Sequence, residues 1–94
     1  MSTTLPKDAT PEGWDAAADA YDSAITGFTR LYAEEAVQLA GIRRGHQVLD
    51  VAAGPGAATF AAAAAGATVT ATDFSPTMVQ RLRENLHRQG LDNV

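Results

Sequence analysis

Apolar positions change their spacing along the chain, and each change marks an element. After a polar stretch with Pro6 and Pro11, Trp14, Ala17, Ala18 and Tyr21 recur at helical spacing. The pattern predicts a helix here, interrupted at Gly27. A second helix is expected from about Thr29 to Ala40, with Tyr32, Ala36, Leu39 and Ala40 on one face and Gly41 as its stop. Residues 1 to 11 read as a flexible tail, and 12 to 45 as an N-terminal helical cap.

The period then shortens. Gln47-Val48-Leu49-Asp50-Val51 is a compact, β-branched apolar run after a glycine-containing turn and reads as a buried strand. Ala52-Ala53-Gly54-Pro55-Gly56 is a tight turn, rich in small residues. Ala57 to Ala65 has high helix propensity and stops at Gly66. Thr68 to Thr72 has strand composition. Ser75 suits an N-cap and Pro76 the first helical position. Met78, Val79, Leu82 and Leu86 then mark one face of a helix ending near Gly90. The order helix, helix, strand, helix, strand, helix contains one βαβ crossover, so the fold class is α/β with two parallel strands.

The 94 residues suffice for one modest domain. Hydrophobic residues make up 46%, an ordinary globular balance, but much of this is alanine and the core is correspondingly slight. A net charge of −4 argues against nucleic acid as a partner. Arg81, Arg83 and Arg88 are interrupted by Glu84 and read as a solvated helix face. The absence of cysteine excludes disulfides, thiolate catalysis and cysteine-based zinc sites. The start of the sequence lacks a secretory pattern, and the apolar run Phe60 to Ala65 is too short to span a bilayer, so a cytoplasmic location with no membrane partner is expected.

The chemistry concentrates in the Asp50–Gly56 segment, at the carboxyl end of the first strand, where open α/β sheets bind their ligands. Glycines there let a ligand approach the main chain, and the following helix turns its free N–H groups toward it. No Gly-Lys-Ser/Thr follows, which excludes a P-loop. Position 59 is Thr where a nicotinamide-binding turn needs its third glycine. Asp50 at the strand end would oppose a pyrophosphate and suits a cationic ligand. Asp73, at the end of the second strand, can accept hydrogen bonds from both hydroxyls of a ribose. Each acid also has a plainer role: Asp50 as a cap of the turn, Asp73 as a helix cap shared with Ser75.

Val48 to Gly56 resembles the first signature of class I S-adenosylmethionine-dependent methyltransferases, and Val69 to Met78 is similar to their second, an acid followed by a serine-containing helix start. Asn85 to Val94 looks like the approach to their third strand. The resemblance covers about residues 12 to 94. It implies a partial three-layer Rossmann-like fold with two N-terminal cap helices, in which residues 46–94 form an incomplete cofactor-binding βαβα unit. It also implies S-adenosylmethionine as cofactor, with S-adenosylhomocysteine as product. Gly54 and Gly56 would form the turn at the methionine moiety, with Ala52 standing where the family often has a first glycine. Asp50 would help orient that moiety, often through backbone or water, Asp73 would hold the ribose, Phe74 and Met78 would pack near adenine, and Tyr21 would close over the methionine end. From the residues alone, Trp14 and Tyr21 read as core packing ahead of ligand contact. No metal is implied.

The implied reaction is methyl transfer to a small-molecule acceptor. No catalytic residue for the acceptor can be assigned, because the family's acceptor strands are absent from these 94 residues; alone they are expected to be inactive. His46 lies at the wrong end of its strand, and His87 reads as a helix-surface residue. The open strand edges predict either a homodimer or part of a longer protein. The alternative is a non-catalytic module that binds the cofactor or oligomerises.

Overall fold

The computed structural model describes residues 4–94; residues 1–3, the start of the expected tail, lie outside the described residues. Helix α1 spans Pro11–Tyr21 and α2 spans Gly27–Ala40. Thr10 caps α1, its hydroxyl oxygen accepting from the Gly13 N–H at 3.1 Å, with Pro11 in the first turn. Just before it, Lys7–Ala9 form a 3-10 turn folded back on the helix. Glycine is required at position 13: a Cβ there would lie 1.9 Å from the Lys7 carbonyl oxygen. The Trp14 indole N–H donates to the Asp8 carbonyl at 2.8 Å and fastens this turn.

Gly27 does not interrupt the helical run. It lies in ordinary helical backbone with φ −60°, and its penalty of about 1 kcal/mol relative to alanine is too small to end a helix packed on both sides of it. The irregularity lies just before it, where Asp22–Thr26 form a π-helical turn. Residues 11–40 are thus one rod of about 45 Å, most of the 51 Å long dimension of the molecule. No helix among the described residues is long and apolar enough to cross a membrane.

The buried face of α2 also differs from the expected one. Val37 is buried and Ala33 packs beside it, whereas Tyr32 is 62% and Leu39 82% exposed. Ala36 and Ala40 border a groove along the sheet. The phase is set by α3, Ala57–Ala64, whose alanine surface takes the branched Val37 against it.

Strands β1 (Gln47–Val51) and β2 (Thr68–Thr72) pair in parallel with Gln47 opposite Thr68 and Val51 opposite Thr72. Helices α2 and α3 cover the face that carries Val48 and Val69, and the core joins Val37, Ala61, Ala62, Ala63, Ala67 and Val69. Strand β1 is not the fully buried strand that its composition suggests. Its other face is open, with Leu49 66% and Val51 69% exposed, because the helical layer on that side is missing among the described residues. This is the partial Rossmann-like arrangement: the sheet and one of its two flanking layers. The Val69 N–H donates to the Asn93 carbonyl at 2.9 Å, so the C-terminal residues begin to line the far side of β2.

Helix α4, Pro76–Gln89, starts as expected: the Ser75 hydroxyl oxygen accepts from the Met78 N–H at 3.1 Å, and Pro76 opens the first turn. Met78 and Leu82 are buried. The seam between α1 and α4 is polar. Asp15 accepts hydrogen bonds from the Ser75 hydroxyl and from the Thr77 N–H, and Arg81 pairs with Asp19 and Asp22.

Candidate functional site

Both strands end at one cleft of about 290 Å³, lined by Asp8, Trp14, Tyr21, Ala52, Ala53, Gly54, Asp73, Phe74 and Met78. Its size lies at the lower end of small-molecule sites. Two acids and no basic side chain border it, so its field favours a cation over a phosphate.

The turn after β1 is shaped by left-handed backbone. Ala52 has φ +58°, Gly54 +57° and Gly56 +108°. Alanine in that region is strained by roughly 1–2 kcal/mol. This is the position where the resembled signature often carries glycine, and the geometry supplies the reason. Gly56 caps α3, and a Cβ on it would lie 2.9 Å from the Phe60 ring and 3.2 Å from Leu82. It supports the turn from within the core and does not line the cleft.

Asp73 ties the two strand ends together. One carboxylate oxygen accepts from the Gly54 N–H and the other from the Ser75 N–H, each at 2.9 Å. The helix-capping role and the position at the cleft are therefore combined in one side chain. A carboxylate has about four acceptor positions; two remain for a ligand's hydroxyls.

Of the residues singled out from the sequence, Tyr21, Ala52, Gly54, Asp73, Phe74 and Met78 line the cleft together. Asp50 does not. Its carboxylate accepts from the Thr59 hydroxyl at 2.6 Å and borders the groove between α2 and the sheet, fastening the strand to α3 behind the turn. The strand's alternation turns it away: Asp50 lies on the same face as Val48, toward the helices.

Trp14 and Asp8 line the cleft as well. Trp14 stands edge-on to Tyr21, with ring centroids 5.8 Å apart, so its packing role and its place at the cleft coincide. Asp8 gave no signal in the sequence, since it reaches the cleft only through the fold-back at Gly13. Asn85 was also missed. It is buried on α4 one turn after Leu82, a polar residue on an otherwise apolar stripe.

Asp15 lies outside the cleft but shapes it. The Ser75 hydroxyl foremost, then the Thr77 N–H, hold its carboxyl below the ordinary value of 3.8, against a desolvation that raises it.

Residues 48–94, half of the chain, match the model of the methyltransferase domain family. An uncharacterised protein of Mycobacterium tuberculosis is 48% identical over 56 residues, which are 60% of this chain and 20% of that one. The demethylmenaquinone methyltransferase of Tropheryma whipplei is 45% identical over 53 residues, 56% of this chain and 22% of that one. The chain thus spans about a fifth of the length of these relatives. Among solved structures, a SAM-dependent methyltransferase from Aquifex aeolicus superposes with a TM-score of 0.64 at 25% identity, over 90% of this chain and 44% of its own. A Methanococcus maripaludis protein assigned to the S-adenosyl-L-methionine-dependent methyltransferases shares the fold, with a TM-score of 0.69 at 24% identity over 98% of this chain and 42% of its own.

Proposed function

Because the chain belongs to the methyltransferase domain family, we propose that its cleft binds S-adenosylmethionine and that the protein takes part in methyl transfer to a small-molecule acceptor. The observation that carries this reading is the clasp between Gly54 and Asp73. It brings the two signature segments together at the strand ends and leaves carboxylate acceptor positions for a ribose. The acid-bordered, aromatic-walled cleft fits a ligand that carries cationic groups beside an adenine.

When bound, S-adenosylmethionine supplies a methyl group already activated by the sulfonium. The work of this chain is therefore to hold and orient. Asp73 would accept the ribose hydroxyls. Gly54, without a side chain, would let the methionine end pass close to the backbone. Phe74 and Met78 would flank the adenine, and Trp14 with Tyr21 would cover the opposite side and exclude water. The acid character of the chain and the name of the Tropheryma relative, a demethylmenaquinone methyltransferase, both support a small acceptor. The exposed Leu49 and Val51 and the outer edge of β1, which pairs with no strand among the described residues, support pairing with a second copy. Sedimentation should then show a dimer that Leu49→Lys dissociates; a monomer at all concentrations refutes the pairing.

Calorimetric titration of the protein with S-adenosylhomocysteine tests the cofactor reading. Saturable binding is expected, and Asp73→Ala should abolish it. Equal binding by the variant would exclude Asp73 as the ribose ligand, and no binding by the unaltered protein would overturn the cofactor assignment.

A further inference from the structure

Behind the glycine turn, on the side away from the cleft, lies Asn85. It is 7% exposed on a helix face otherwise made of Met78 and Leu82. Burying an amide is unfavourable unless its hydrogen-bonding groups are matched, and all of them are. One Nδ2 hydrogen goes to the Pro55 carbonyl at 3.1 Å and the other to the Asp22 carboxylate at 3.3 Å. The Oδ1 oxygen accepts from the Arg88 guanidinium. Two acceptors on one side and a donor on the other fix the orientation of the amide by chemistry alone.

The two partners of Nδ2 belong to separate parts of the molecule. Pro55 sits between Gly54 and Gly56, in a turn closed by the Gly56 N–H on the Ala53 carbonyl at 3.1 Å. Asp22 opens the π-helical turn at the end of the cap helix, next to Tyr21 of the cleft wall. A single buried amide therefore spans from the cofactor turn to the helix that covers it. The Pro55 carbonyl has no other partner among the described hydrogen bonds, so the turn is held from behind by this contact.

We propose that Asn85 is a positioning residue for the cofactor: it fixes the Ala53–Gly56 turn in its binding shape without touching the ligand. This rests on the cofactor reading above. Asn85→Asp keeps the shape, removes the donor to Pro55 and sets a second carboxylate beside Asp22. Adding Asp22→Asn relieves that repulsion but returns no donor to Pro55.

The test is titration of the wild type, Asn85→Asp and Asn85→Asp/Asp22→Asn with S-adenosylhomocysteine, together with amide hydrogen exchange of the free proteins. Failure of the wild type to bind would count against the cofactor reading, not against this one; exchange in the free proteins then decides it alone. The expected result is binding weaker by about ten-fold in both variants, the loss from one unmatched buried group. Exchange at Gly56 should quicken in both, while the interior of α3 keeps its protection and the double variant regains thermal stability. Should Asn85→Asp alone fail to fold, the double variant carries the test. Wild-type affinity in either folded variant overturns the proposal. So does exchange that is unchanged at Gly56 or that quickens evenly throughout the protein, since a merely structural residue would loosen the whole fold.

Discussion

Ala52 offers the sharpest perturbation, because replacing it by glycine should stabilise the protein. Its φ of +58° places an L-residue in left-handed backbone, which is unfavourable by roughly 1–2 kcal/mol. Glycine removes that strain but makes the unfolded chain freer, an opposing effect of about 0.4–1 kcal/mol. The exposed methyl group of Ala52 contributes little packing, so the balance should favour Ala52→Gly by about 0.5–1 kcal/mol. In a domain of this size that raises the thermal midpoint by roughly 2–8 °C. Urea unfolding followed by circular dichroism reads the same difference as a shift in midpoint at constant slope. Ala53→Gly is the control: Ala53 has no positive φ, so there glycine should destabilise by about 0.5–1 kcal/mol. A destabilised Ala52→Gly, or equal effects at the two positions, would refute the assignment of strain to position 52.

Two further outcomes follow from neighbouring contacts. Gly56→Ala meets both a disfavoured φ of +108° and the Phe60 ring at 2.9 Å, and should lose about 2–4 kcal/mol in denaturant unfolding. Asp15 has a folded-state pKa below its ordinary 3.8, so its contribution to stability is complete above that value and is lost as the pH falls through the lower, folded-state one. Acid titration of the thermal midpoint should show this decline, and Asp15→Asn should flatten it; an unchanged acid profile in the variant would refute the role of the Asp15–Ser75 contact.

Much of the fold was legible because local chemistry and tertiary packing agree there. Ser75 and Pro76 start α4 by capping alone, Gly66 ends α3, and the β-branched run at 68–72 forms a strand. Six of the site residues read from the sequence meet at one cleft: five follow the two strands, whose turns converge at the carboxyl edge, and Tyr21 is brought over them by α1. What stayed hidden depends on partners far along the chain. The buried face of α2 is chosen by α3, so Tyr32 and Leu39, though apolar, stay outside. The exposure of Leu49 reflects a missing layer, which composition cannot register. The charge of Asp50 points to a cationic ligand, but strand alternation directs its carboxylate to Thr59, behind the turn and not into the cleft. Asp8 is held by the Trp14 indole where Lys7 folds close over Gly13, and Asn85 by Pro55 and Asp22, contacts that no hydrophobic spacing encodes.

The π-helical turn at Asp22–Thr26 also sets the angular phase of the rod that contains it. The segment before it must turn Trp14 and Tyr21 to the cleft, and the segment after it must turn Val37 to α3. Each residue of an α-helix advances the azimuth by about 100°, and a π turn absorbs one residue more than the α-helical count. Wound as regular α-helix throughout, the same residues would therefore set the two halves about 100° out of register. Such a rod could seat the aromatic pair or the valine, but not both. Removing one residue between 22 and 26 should instead convert the turn to regular helix with both halves still facing their partners, whereas a deletion elsewhere between Tyr21 and Val37 should rotate one half by about that angle. The rod is keyed like a shaft with two teeth, and this turn is where it tolerates a change in length.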